Sequence, residues 1–300
     1  MTWVIGASAI FGYGIIVSDI CVQFSNGTTQ DILQKVYPVG NYLAAGFAGS
    51  IKIGFSLIED LQNFLFLPKG FENKAWHPEW VATHWSSNAQ KIFDKAEPDE
   101  KKLQSQILMV GASPDKTLTG ISSSKIYICV LKSPNFYPEI HDKPMSFYSI
   151  GSGSEIELYK KALLAYSDFR QGVLSLQFEN GLRGGWGQGI ILRLTDIIKH
   201  TATVGISKHL HLCIVSLGQI HITNNDHIEN ITYKDNSDNL KFITILGGLD
   251  SQIIVNKTEQ PTSEKTRKES ICFKMPSVAR NYKELETMYN NLINLKGAHC

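Results

Sequence analysis

Residues 42–70 read Tyr42-Leu-Ala-Ala-Gly46-Phe-Ala-Gly-Ser50-Ile-Lys-Ile-Gly-Phe55-Ser-Leu-Ile-Glu-Asp60-Leu-Gln-Asn-Phe-Leu65-Phe-Leu-Pro-Lys-Gly70, and they contain the change of pattern that decides the fold. Up to Gly49 the run is apolar and closes on small residues, as a buried strand does. Ser50 is a helix N-cap candidate. Beyond it Ile51, Phe55, Ile58, Leu61 and Leu65 recur at helical spacing, until Pro68 and Gly70 end the run. Pro78 opens a second helix with Val81, Trp85, Asn88 and Ile92 on one face. The expectation here is a strand that feeds a helix pair.

On the N-terminal side, residues 3–47 read as β structure. Trp3–Ser8 is a strand, Phe11-Gly-Tyr-Gly a turn, and Tyr13–Ser18 and Ile20–Phe24 are further strands. On the C-terminal side, strands are expected at 106–112, 125–131 and 146–150. A third helix follows Gly151-Ser-Gly-Ser, aligning Ile156, Tyr159, Leu163 and Tyr166. A fourth follows Gly184-Gly-Trp-Gly, with Ile190, Leu194 and Ile197. His209–Ser216 and Gln219–Thr223 read as a hairpin. Strands alternating with helix pairs predict helices on both outer faces of a packed sheet pair. After about residue 225 the chain turns polar, apart from strand-like 241–246 and 252–255. A last helix, 281–295, carries Leu285, Met288, Leu292 and Leu295. The expected division is a domain over 1–225 and an extension over 226–300. That extension is either an assembly element or an edge of the same domain.

Composition narrows the function classes. In 300 residues, 29 Lys plus Arg stand against 28 Asp plus Glu, and 43% are apolar. This excludes wholesale disorder and gives no excess positive charge for capturing nucleic acid. Cysteines at 21, 129, 213, 272 and 300 form no CxxC, so neither a zinc site nor a disulfide framework is expected. No run approaches a membrane span, and the N-terminus has no basic start. The expected compartment is the cytoplasm, without membrane contact.

Thr2 is the chemically informative residue. Its small side chain favours removal of Met1, and a free N-terminal threonine carries its own base, the α-amine. That amine has a reference pKa of about 7.7–8.0 and is partly neutral near physiological pH. Asp19 ends the strand Gly14-Ile-Ile-Val-Ser-Asp, and Lys35 follows sixteen residues later. Gly46 lies in Ala44-Ala-Gly-Phe-Ala-Gly, and Ser152 in Phe147-Tyr-Ser-Ile-Gly-Ser-Gly-Ser.

In this order the residues resemble the proteasome β-subunit family, most closely its bacterial HslV-type members. The likeness runs over about residues 2–223. It implies an α+β fold, the four-layer αββα sandwich of N-terminal-nucleophile hydrolases, and threonine-type cleavage of amide, mainly peptide, bonds. It implies Thr2 as nucleophile, Lys35 as the cation beside its hydroxyl and Asp19 as the partner of Lys35. It further implies the Gly46 N–H as oxyanion donor and Ser152 as support for the N-terminus. No metal or organic cofactor is implied. The implied partners are a peptide or small amide substrate, further copies of the chain in an oligomer, and an ATP-dependent unfoldase.

The match departs from the family in Lys199-His-Thr-Ala-Thr-Val-Gly-Ile. Gly205 fits there, but His200 or Thr201 stands where the family has an acid, and Asp196 comes one helical turn early. Trp3 is bulky for its place. These departures keep two alternatives open, a catalytically silent scaffold subunit and a small-molecule amidase on the same fold. Four other signals carry less. His209-x-His211 lacks a third metal ligand, and the glycines of 181–189 lack a feeding strand. Trp76, Trp80 and Trp85 read as helix-packing aromatics, and Cys21 has no histidine near it in sequence.

Overall fold

The seven residues of β2 (Tyr13–Asp19) are all buried. The strand pairs antiparallel with β1 (Val4–Ser8) on one side and β11 (Leu210–Ser216) on the other. With β10 (Phe147–Ile150) and β12 (Gln219–Asn224) at the edges, the first sheet runs β10-β1-β2-β11-β12. The second comprises β5 (Val36–Pro38), β6 (Leu43–Ala48), β7 (Gln106–Asp115), β8 (Ser123–Lys132) and β9 (Glu139–His141), in that order. Pro38 sits on its edge strand, where a missing N–H costs no ladder bond. A small hairpin joins β3 (Cys21–Gln23) to β4 (Thr29–Asp31). This computed structural model describes residues 2–8, 12–24, 26–65, 77–115, 123–157, 205–216, 219–224, 227–234, 240–246, 253–254, 267–272 and 276–297. The chain is a mixed α+β protein with antiparallel sheets.

Period-two alternation divides the second sheet between two cores. Ala44, Leu108, Val110 and Ile128 share a cluster with Val4, Ile16, Cys213 and Val215 of the first sheet. Ala45, Phe47, Ile107, Met109 and Leu131 face the other way. They pack with helices α1 (Ile51–Leu65) and α2 (Pro78–Lys95), through residues such as Leu57, Leu61, Val81 and Trp85. The sheets approach closely where side chains vanish: a Cβ at Gly6 would lie 2.6 Å from Leu108 Cδ2. Ser50 caps α1 as expected, its Oγ accepting the Ile53 N–H at 3.1 Å. Along α2 the fully buried stripe is Val81, Ala82, Trp85, Ala89 and Phe93, and Ile92 packs half-buried against the same core. The Trp85 indole N–H donates to Asp60 Oδ1 at 2.7 Å and ties the two helices.

Gly54 shows how tight this layer is. A methyl there would overlap the Phe47 ring. Gly54→Ala is expected to cost about 1–3 kcal/mol by overpacking. Urea unfolding should show a lowered midpoint with an unchanged slope.

In the C-terminal part, β13 (His227–Lys234) and β14 (Leu240–Leu246) pair with β16 (Arg267–Cys272) and β15 (Ile253–Ile254), in the order β15-β14-β13-β16. β13 and β16 thus fall in the polar chain after about residue 225, outside the strand-like 241–246 and 252–255 expected there. A short α3 (Pro98–Lys101) follows α2, and a 3-10 turn spans Ser152–Glu155. The last helix, α4 (Tyr282–Gly297), packs on the N-terminal region: Leu285 is 4% exposed and belongs to the α1–α2 core. The expected helices through Tyr159–Tyr166 and Ile190–Ile197 lie outside the described residues. Among the described residues, no helix is long and apolar enough to cross a membrane.

Candidate active site

Asp19 ends β2 where β1 begins, and the antiparallel register brings Trp3 beside it. The Asp19 N–H donates to the Trp3 carbonyl at 3.3 Å, and the Trp3 N–H returns to Asp19 Oδ1 at 2.9 Å. Asp19 Oδ2 accepts the Cys21 N–H at 2.9 Å. Lys35, just before β5, donates Nζ to both oxygens, at 2.9 and 3.0 Å. Neither side chain is exposed. This is a buried ion pair in which the carboxylate is satisfied by three donors, the condition under which such a pair persists.

Thr2 is half-buried and leads directly into that pair through Trp3. Its N–H donates to Ser152 Oγ at 3.2 Å, and its carbonyl accepts the Gly153 N–H at 3.1 Å. Gly151 makes the approach possible. Its φ is +85°, and a side chain there would overlap the Thr2 carbonyl oxygen. Its N–H is anchored to Gln106 Oε1 of β7 at 3.0 Å. Thus Thr2, Asp19, Lys35 and Ser152, read from separate stretches of sequence, converge.

Gly46 does not join them. The Phe47 N–H donates to the Lys35 carbonyl at 3.2 Å, which makes 35/47 the bonded pair between β5 and β6. The Ala112 N–H donates to the Tyr42 carbonyl at 2.9 Å, which sets the parity towards β7. Gly46 therefore turns its N–H to Leu108, inside the ladder. A Cβ there would press on Val4 Cγ1 at 2.8 Å, so this glycine serves sheet packing. The expected oxyanion donor is corrected accordingly. Gly49, three residues on, lines the cleft with Thr2 and has φ +97°.

The cleft at Thr2 has a volume of about 990 Å³. Thr2, Cys21, Gly49, Gly151 and Ser152 line one side, and Tyr282, Glu286 and Tyr289 of α4 line another. Cys21 is no rival nucleophile. Burial, followed by the charge of Asp19, pushes its thiol up to about 11. Gly205 has φ +84°, as a turn glycine should, while Asp196, His200 and Thr201 lie outside the described residues.

Among the described residues, no group of three His, Cys, Asp or Glu side chains forms a metal site. His211 is instead a half-buried neutral imidazole, pushed down to about 4 by desolvation and then by the positive charges of His209, Lys35 and Arg280. Its unfolded form takes up a proton near 6.5, so between pH 6.5 and 4 the unfolded state binds more protons. Stability is expected to fall as pH drops through that window and to lose this dependence below it. Thermal melts of His211→Phe against the parent should show a shallower acid slope.

A scan against protein-family models matched none, and a search of curated proteins found no match.

Proposed function

We propose that the chain is a threonine-type N-terminal-nucleophile hydrolase of the proteasome β-subunit kind, cleaving peptide amide bonds. The observation that carries this reading is the placement of Thr2. Its nitrogen lies on Ser152 Oγ, the next residue, Trp3, donates its N–H to Asp19 of the buried Asp19–Lys35 pair, and its flank opens on the cleft. The four-layer sandwich is part of the proposal. It is supported by the outer face of the first sheet, where Ile5, Ala7, Ile15, Val17 and Leu212 are at most 1% exposed and thus covered.

The chemistry requires cleavage of the Met1–Thr2 bond. The freed α-amine takes the Thr2 hydroxyl proton as Oγ1 attacks the substrate carbonyl carbon. Lys35 supplies positive potential beside the developing alkoxide. Gly49, the cleft glycine outside the strand ladder, is the backbone donor to the oxyanion. The tetrahedral species collapses by breaking the C–N bond, and the leaving amine takes the proton from the ammonium. Water, deprotonated by the same amine, then hydrolyses the Thr2 ester.

The test compares protein sequenced as starting at Thr2 with protein retaining Met1, on fluorogenic peptide amides. Hydrolysis by the first alone is expected. Hydrolysis by both contradicts the amine-as-base mechanism. Gly151→Ala, which crowds the Thr2 carbonyl, is expected to lower kcat/KM roughly 100-fold through misplacement of the nucleophile. Assembly with further copies, with an unfoldase delivering substrate to the assembly, belongs to the same proposal. Light scattering at a multiple of 33.5 kDa supports it, and a monomer favours the small-molecule amidase. The absence of an acid at His200 and Thr201 favours the silent scaffold, for which no processing at Thr2 is expected.

A further inference from the structure

Helix α4 comes from the far end of the sequence, yet its seat beside the cleft is fixed at several points. The Ala279 N–H donates to the Ile32 carbonyl at 2.7 Å, and the Gln34 N–H to the Ala279 carbonyl at 3.0 Å. Leu33 and Ala279 form a parallel bridge. Asn281 caps the helix, its Oδ1 accepting the Glu284 N–H at 2.9 Å, and Glu284 Oε2 accepts the Arg280 N–H at 2.8 Å. Leu285 is in the core, and the Tyr289 ring stacks on Phe24 with centroids 4.1 Å apart. This is a fixed wall.

The face that α4 turns to the cleft carries Tyr282, Glu286 and Tyr289, at i, i+4 and i+7. Glu286 and Glu100 are 186 residues apart in the chain and act on the same Tyr282 hydroxyl. It is pushed up first by burial and then by these two carboxylates. Among the described residues, the charged side chains lining the cleft are Glu100, Glu155 and Glu286 against Lys52. Aromatic faces within an acidic wall are complementary to a cation and repel an anion.

We infer that α4 is the specificity wall of the Thr2 cleft, and that its Tyr282–Glu286–Tyr289 face selects a substrate residue with a basic side chain. As a statement about cleavage this rests on the hydrolase reading. As a statement about binding it does not.

The experiment is therefore a binding one, on the full chain. N-acetyl-arginine amide and its neutral near-isostere N-acetyl-citrulline amide are titrated by calorimetry. The arginine ligand is expected to bind about tenfold tighter, in line with a charge-assisted contact. Glu286→Gln, an exposed change that leaves the helix intact, should bring the ratio close to one. Glu59→Gln, on α1 and outside the cleft lining, should leave it unchanged. Equal binding of the two ligands, no saturable binding, or an unaltered ratio in Glu286→Gln overturns the inference. If the ratio behaves as expected but Thr2→Ala leaves hydrolysis intact, the hydrolase reading falls and the cleft assignment stands.

Discussion

Thr2→Ala is expected to lower peptide-amide hydrolysis by a factor on the order of 10⁴ to 10⁶, the scale on which deleting a covalent nucleophile acts. Among the described residues lining the cleft, no neighbouring group replaces it. The Cys21 thiol is buried, and its pKa near 11 leaves almost no thiolate at neutral pH. Ser152 Oγ faces the Thr2 nitrogen, which makes it a positioning group. Thr2→Ser keeps a hydroxyl beside the same amine and should retain measurable turnover. Because Thr2 is half-buried and its contacts are through the main chain, Thr2→Ala should leave stability within about 0.5 kcal/mol of the parent. Activity and thermal melts on the same preparation separate a lost nucleophile from a lost fold. Full hydrolysis by Thr2→Ala would end the proposed function.

The second large effect is structural. Lys35→Met strands the Asp19 carboxylate at zero exposure and is expected to cost about 3–5 kcal/mol. At roughly 2–4 °C per kcal/mol for a domain of this size class, Tm should fall by about 10 °C. Asp19→Ala should cost more. It leaves the Lys35 ammonium unpaired and also removes the acceptor of the Trp3 and Cys21 N–H groups. The double variant Asp19→Asn with Lys35→Met should recover part of the loss, because no buried charge remains, but the introduced amide restores only one acceptor oxygen. Chemical denaturation of the three variants gives the order. A cost below about 1 kcal/mol for Lys35→Met would contradict the buried-pair description, since exposed pairs lie in that range.

Much of this was legible because local chemistry and tertiary structure agree. The switch at Ser50 could be read because the apolar period changes there and the cap residue is the right type; the Ile53 N–H completes the cap in the structure. Asp19 and Lys35 are unremarkable separately. What linked them was their order along the chain, and the antiparallel register then brings the carboxylate to the ammonium.

What could not be read depends on partners distant in sequence. Gly46 and Gly49 are both glycines in one small-residue run, and only ladder parity with β5 and β7 decides whose N–H is consumed. The fully buried stripe of α2 runs through Ala89 and Phe93, one residue beyond Asn88 and Ile92, and Ile92 packs at its margin. Strands β13 and β16 were hidden by polar composition. The place of α4 in the cleft wall could not be seen at all, since it follows from Ala279 pairing with Ile32 and Gln34.

The most direct test of the central claim is covalent. Protein from its natural host, carrying whatever N-terminus processing has left, is treated with a threonine-directed β-lactone, digested and mapped by mass spectrometry. The account predicts one adduct, an ester on Thr2 Oγ1 of a chain that begins at Thr2, and its loss in Thr2→Ala. A chain in which the Met1–Thr2 bond is intact and Thr2 is unmodified would contradict it.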